Sequence, residues 1–218
     1  MRSTSTSTKK DANAPKRPQQ GRSVARYNAL LDAAHVLLFE QDLNAIGLYD
    51  IAEKAGVPPA SAYHFFPTPV AVFLALAERY HQSFREITLD LEIPEDRRWQ
   101  TLLRQRLLGA AAVYNANPPM QKLFLGTHAT RELVLAEAGF NEQIAEEMEA
   151  AYDRYFHMPV IRNAQRKWHL MLTLVDAVWS LSYTKHRTIT DEYAEESVLI
   201  AVSYCRTFLP ENIEFKEG

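Results

Sequence analysis

Cationic side chains crowd one end of this sequence. Residues 1–31 carry seven Lys or Arg (Arg2, Lys9, Lys10, Lys16, Arg17, Arg22 and Arg26) against Asp11 alone, a balance of +6. The remainder of the 218 residues carries seventeen against twenty-six Asp or Glu, a balance of −9. Ammonium and guanidinium groups gathered in this way bind phosphate, and an acidic body behind them confines that contact to one end. A solubilising tail has the same composition, so the charges take their meaning from the element beside them. Other chemistry-bearing residues are scattered. Glu78 and His81 form a single E-x-x-H, half of what a di-metal centre in a helical bundle needs, and no second copy exists. His35, His64, His81, His128, His157, His169 and His186 include no i, i+4 pair. H-E-x-x-H, G-x-S-x-G, a phosphate loop and a dinucleotide-binding glycine run are all missing. The pattern argues against an enzyme and calls for no metal or other cofactor.

The element that gives the basic arm a purpose is the run Leu48 to Phe66, LYDIAEKAGVPPASAYHFF. Leu48, Ile51, Ala52 and Ala55 recur at helical spacing, one apolar face of a short helix. Gly56 then supplies a left-handed position that a β-carbon resists. Val57 tucks into the gap and Pro58-Pro59 restarts the chain, since proline at a first helical position loses no needed N–H. The second helix runs from Pro59 to about Phe65. Two short helices around so tight a turn predict a helix-turn-helix, whose second helix enters a DNA major groove. Ser61 is the hydroxyl at the tip of that helix, Ala60 suits a thymine methyl, and Tyr49 lies outward on the first helix. Phe65 and Phe66 read as core.

With Ile51-Ala52, Ala55-Gly56-Val57 and Tyr63-His64-Phe65-Phe66-Pro67 in place, and Leu30-Leu31-Asp32-Ala33-Ala34 with Phe39 upstream, the segment from about 23 to 83 resembles the DNA-binding domain of the TetR family of bacterial transcriptional regulators. The resemblance implies that the Tyr63 hydroxyl and the His64 imidazole contact phosphates. It also marks departures. The threonine usual at the start of the first helix is Gly47, the Ser or Thr cap and the DNA-reaching residue after it are Pro58 and Pro59, and the lysine after the YxxFP run is Pro69. A recognition helix so poor in long polar side chains reads few bases directly. Lys16, Arg17, Arg22 and Arg26 are therefore expected to contact phosphates or enter the minor groove. The expected DNA-binding set is these four with Gly47, Tyr49, Pro59, Ala60, Ser61, Tyr63, His64 and Thr68.

Composition fits this reading. Hydrophobic residues make up 47% and charged residues 23%, enough for a packed core. A single cysteine, Cys205, excludes an intramolecular disulfide and is compatible with a reducing, cytoplasmic setting. No apolar run approaches the ~18–20 residues of a membrane span, and the Ser/Thr-rich start has no signal-like apolar stretch. The periodicities predict an all-α chain of about nine helices. Residues 1–22 form a disordered basic arm, 23–83 the DNA-binding domain and 84–218 an effector-binding and dimerisation domain. Helix 1 is expected from Ser23, helix 4 from Pro69 behind a Thr68 cap, and helix 5 from Pro94. A helix over Thr130–Ala138 is expected to stop at Gly139, with another resuming near Asn141.

The last two helices, from Asn163 and from Asp191, are apolar on more than one side and so need more than one partner. The resemblance implies a homodimer formed through them, here by Trp168, Leu172, Val178, Val198, Val202 and Cys205. An apolar effector cavity is expected from Trp99, Tyr114, Met120, Phe124, Met171, Val175 and Trp179, with Arg104, His128, Arg131 and Tyr152 as polar anchors. The function these expectations describe is a ligand-responsive regulator, a repressor that binds an inverted-repeat DNA operator as a dimer and is released by a small, mostly apolar effector. No membrane partner is expected. The alternative is an all-helical protein-interaction module whose helix-turn-helix does not bind DNA.

Overall fold

The computed structural model describes residues 14–89, 92–126 and 130–217, with side chains given for all of these except 86–89. Among the described residues nine α-helices succeed one another: α1 Gly21–Glu40, α2 Leu48–Lys54, α3 Pro59–Phe65, α4 Pro69–Leu89, α5 Trp99–Ala116, α6 Pro118–Phe124, α7 Arg131–Tyr155, α8 Ala164–His186 and α9 Asp191–Cys205. The fold is all-α, as the periodicities predict. No single helix among the described residues is long and apolar enough to cross a membrane. The chain divides into two compact units after Leu76, inside α4.

In the first unit, α1 begins at Gly21 rather than Ser23. Its first turn closes by Val24 N–H donating to the Gln20 carbonyl at 2.9 Å, with no side-chain cap. The α2–α3 turn forms as the sequence dictates. Gly56 takes φ +62°, Val57 N–H reaches back to the Ala52 carbonyl at 3.0 Å, and Gly56 N–H reaches that of Glu53 at 3.1 Å. This pair of bonds satisfies carbonyls at the end of α2 that would otherwise lack donors. Leu30, Leu38, Ile51, Ala52, Ala62 and Phe66 are fully buried between α1, α2 and α3. The Tyr27 ring packs on Phe66 at 4.8 Å and edge-on to Phe65 at 6.0 Å, fastening α1 to the end of α3. At the start of α4, the Thr68 hydroxyl accepts from Ala71 N–H at 3.3 Å.

In the second unit, α5 starts five residues later than Pro94. Arg97 N–H closes a turn onto the Pro94 carbonyl at 2.9 Å with Arg97 at φ 50°, and the Asp96 carboxylate accepts from Arg98 N–H and the Thr101 hydroxyl. Asp96 therefore caps the helix from outside it. Helix α7 is also longer than expected and runs straight through Gly139. A mid-helix glycine costs about 1 kcal/mol, which the buried residues after it (Ala145, Met148, Tyr152) outweigh.

Helices α5, α7, α8 and α9 enclose the core of this unit, with Trp99, Leu102, Leu103, Tyr152, Phe156, Trp168 and Met171 among its buried residues. The C-terminal segment lies along the end of α7: Phe215 bridges Phe156, and Lys216 N–H donates to the Tyr155 carbonyl at 2.8 Å. Asn115 joins three elements. Its oxygen accepts from Gln121, Thr188 and Ile189 N–H, while its amide donates to the Ile189 carbonyl at 2.7 Å. That fixes the end of α5 against α6 and the α8–α9 turn.

Candidate functional site

Helix α3 is short, and burial sorts its residues cleanly. Ala62 and Phe65 face the core, while Pro59, Ala60, Tyr63 and His64 are exposed on the opposite side at i, i+1, i+4 and i+5. Tyr63 is 57% exposed and Tyr49 on α2 is 61% exposed. Both phenols thus present their rings and hydroxyls to solvent, and Tyr63 is no part of the core. Ser61 is half-buried. Two of the expected contacts have their groups engaged inside the protein. The Gly47 N–H donates to the Asp50 carboxylate at 2.8 Å, and the Thr68 hydroxyl caps α4.

The arm is tied to this helix. Lys16 N–H donates to the Phe65 carbonyl at 2.8 Å, so the chain before α1 passes the C-terminal end of α3. Lys16, Arg17, Arg22 and Arg26 are all exposed. The three cationic residues nearer the start (Arg2, Lys9, Lys10) lie outside the described residues.

The second unit holds a partly open cavity of about 80 Å³. Of the residues expected around an effector cavity, Tyr114, Met120, Phe124, Val175 and Trp179 line it. The Trp179 indole is oriented by donating to the Ser197 hydroxyl at 3.0 Å, and the rings of Tyr114, Trp179, Phe124 and Phe140 form one continuous wall.

The other expected pocket residues lie elsewhere. Trp99 is buried in the core with its indole donating to the Pro210 carbonyl, and Met171 and Tyr152 are fully enclosed between helices. Arg104 points outward into a bidentate pair with Glu195, which raises the guanidinium and lowers the carboxyl from their ordinary pKa values. Arg131 is exposed at the start of α7. His128 falls outside the described residues.

The cavity also contains polar residues not expected there. His81 hydrogen-bonds the Gln143 side chain at 3.2 Å and stacks on Phe140 at 4.4 Å, so its E-x-x-H serves packing, and burial holds its pKa below the ordinary value. Among the described residues no three His, Cys, Asp or Glu are disposed to hold a metal ion. Arg85 forms a bidentate pair with Glu147. Burial pushes the Glu137 carboxyl up to about 8, with Asp176 adding repulsion. Burial likewise pushes Asp176 up to about 6, against the pull of its hydrogen bond from Asn141 at 2.5 Å. Arg106 is 7% exposed.

A signal for the acids exists in the sequence. Glu137 falls on the stripe Leu133, Phe140, Ile144, Met148, and Asp176 on the stripe Leu172, Val175, Trp179. A charge on an apolar stripe faces either a partner or a cavity.

The surface expected to pair two copies is also redistributed. Trp168, Leu172, Val198 and Cys205 are buried within the protomer, with Leu172 lining the cavity, while Val178 and Val202 are half-buried. The apolar side chains that α8 and α9 leave exposed are Leu170, Leu174, Leu181 and Leu199.

Residues 30–76 match the model of the bacterial regulatory proteins of the tetR family. The matched segment contains the whole α2–α3 motif with its exposed Tyr63 and His64. No curated protein matches the chain.

Solved structures match it over most of its length. A TetR-family transcriptional regulator from Streptomyces coelicolor is 22% identical with a TM-score of 0.64, covering 85% of this chain and 98% of that one. SmeT, the repressor of the Stenotrophomonas maltophilia multidrug efflux pump SmeDEF, is 16% identical with a TM-score of 0.61, covering 88% and 94%. The SmeT–triclosan complex is 16% identical with a TM-score of 0.58, covering 86% and 93%. At these identities the likeness is one of fold.

Proposed function

We propose that this protein is a ligand-responsive, DNA-binding transcriptional regulator, a repressor that binds an inverted-repeat operator as a homodimer and works in the cytoplasm. Residues 23–83 form its DNA-binding part and 84–218 its effector-binding and dimerisation part. The observation that carries the reading is the outward face of α3, where Tyr63 and His64 stand in solvent on a helix-turn-helix that buries Leu48, Ile51, Ala52, Val57, Ala62 and Phe65. The exposed cations from Lys16 to Arg26 supply the sequence-independent part of binding, since phosphate neutralisation dominates affinity. Gly47 has no side chain to offer and the Thr68 hydroxyl caps α4, so the reading surface rests mainly on Tyr49, Pro59, Ala60, Ser61, Tyr63 and His64.

The cavity of the second unit is the effector site, a role supported by its aromatic wall and by the triclosan-bound state of SmeT. Effector binding biases α4, which is continuous with both units, and so changes the spacing of two recognition helices that must sit ~34–36 Å apart on DNA.

The test is a mobility-shift titration of the full chain on the fragment upstream of its own gene. Replacing both Tyr63 and His64 with Ala is expected to weaken binding at least about tenfold, because a hydrogen bond to a charged group is worth about 1.5–3 kcal/mol. The melting temperature should stay put, since both side chains are exposed. No retardation by the parent protein at low salt would favour the protein-interaction alternative.

A further inference from the structure

Resting on the reading of the cavity as an effector site, we infer that its ligand is an organic monocarboxylate with an aromatic body, whose carboxylate pairs with Arg106. Arg106 lines the cavity from α5 and is 7% exposed. Its Nε is buried without a hydrogen-bond partner, and among the described residues no carboxylate pairs with it. What it has is the Tyr152 ring, 5.5 Å from the guanidinium carbon. The Tyr152 hydroxyl is itself buried without a partner. Two neighbouring groups that can donate are thus left without an acceptor.

The other charged groups of the cavity respond to burial in ways closed to Arg106. Arg85 is neutralised by Glu147. Glu137 and Asp176 hold protons to higher pH than usual, at about 8 and about 6. His81 is biased towards its neutral form. A guanidinium has no such exit, because it keeps its charge in proteins. A buried, unpaired cation calls for an anion, and the planar fork of Arg is shaped for a carboxylate.

The far end of the cavity sets the second half of the specificity. Tyr114 feels the charges of both Asp176 and Glu137, so those acids gather at its end of α5. Tyr114 is eight residues, about 12 Å, from Arg106 along the helix axis. Neither arginine of the cavity is among the charges that shift Glu137 or Asp176. A second anionic group on the ligand would meet the Asp176 carboxylate, ionised above about 6, and be repelled. A ring between the two ends rests on Phe124, Phe140 and Trp179.

The experiment is calorimetric titration of the full-length protein with 2-naphthylacetate, its neutral isostere 2-naphthylacetamide and the cation 2-(2-naphthyl)ethylammonium. The acid is expected to bind at least about tenfold more tightly than the amide. Arg106→Gln should abolish that preference by weakening the acid far more than the amide, and Arg106→Lys should keep most of it. Equal binding of acid and amide, stronger binding of the cation, or an equal loss of both neutral and anionic probes in Arg106→Gln would overturn the inference. In those outcomes Ala110→Phe, which fills the cavity, still blocks the probes, so the effector-site reading stands. If no probe binds the parent protein, or if Ala110→Phe leaves binding intact, the effector-site reading falls and takes the inference with it.

Discussion

Glu137 illustrates what a single side chain does when it is placed against the grain of its helix. It lies on an apolar stripe, half-buried beside Asp176, and its carboxyl is raised from 4.5 to about 8. A raised acid destabilises the fold wherever the unfolded chain has lost the proton and the folded chain must either keep it or bury a charge. Its penalty is therefore absent below pH 4.5 and grows as pH rises towards 8, and Asp176 acts in the same sense between 3.8 and about 6. His81 acts oppositely, because its lowered value removes stability as pH falls below 6.5. Arg85, Arg106 and Glu147 are the other charged side chains that face the cavity. Glu137→Gln should thus melt higher than the parent at pH 8.5 and about equally at pH 4.5, as scanning calorimetry would register. A variant that tracked the parent at both pH values would contradict the burial of that carboxyl. The sequence carries this information in principle, since two acids interrupt apolar stripes. Its meaning depends on which helices face each other, and periodicity does not specify that.

At the level of elements, local chemistry and long-range packing divide what can be read. The α2–α3 turn is fully legible because each part of it is local: the glycine at positive φ, the valine behind it, the proline that restarts the helix. The start of α4 is legible for the same reason, through Thr68 and Pro69. Helices α5 and α7 each differ from expectation at one boundary. Asp96 caps from outside its helix, and Gly139 is carried through by packing that no local rule contains. Helix α8 offers a prediction of its own. Leu170, Leu174 and Leu181 share one exposed face, with Leu199 exposed on α9, and a face of this kind is covered in a stable protein. Leu174→Glu with Leu181→Glu is expected to convert the proposed homodimer into monomers in sedimentation velocity, with little change in helix content. Replacing Val198 or Cys205 would instead disturb the protomer, since both are buried within it. A charged double variant that still sedimented as a dimer would place the interface elsewhere.

Across the whole molecule the governing asymmetry is charge. A segment at +6 precedes a body at −9, and the described part of that segment is held at the end of α3 by Lys16. Removal of residues 1–21 should therefore lower affinity for any duplex and flatten the dependence of log K on log salt. The slope changes by about 0.9 for each phosphate that the shortened chain no longer neutralises. An unchanged slope would show that the arm takes no part.

Cys205 gives the second unit a built-in clock. It is the chain's only cysteine, fully enclosed near the end of α9, and burial pushes its thiol up to about 12. Thiolate is the reactive species, so the folded protein is inert to alkylating reagents and reacts only during moments when the packing around α9 opens. The rate of modification then counts those openings directly. A molecule that settles in the cavity of the second unit and holds that packing closed is expected to slow the count, whatever its chemical class, and no spectroscopic label is needed to see it.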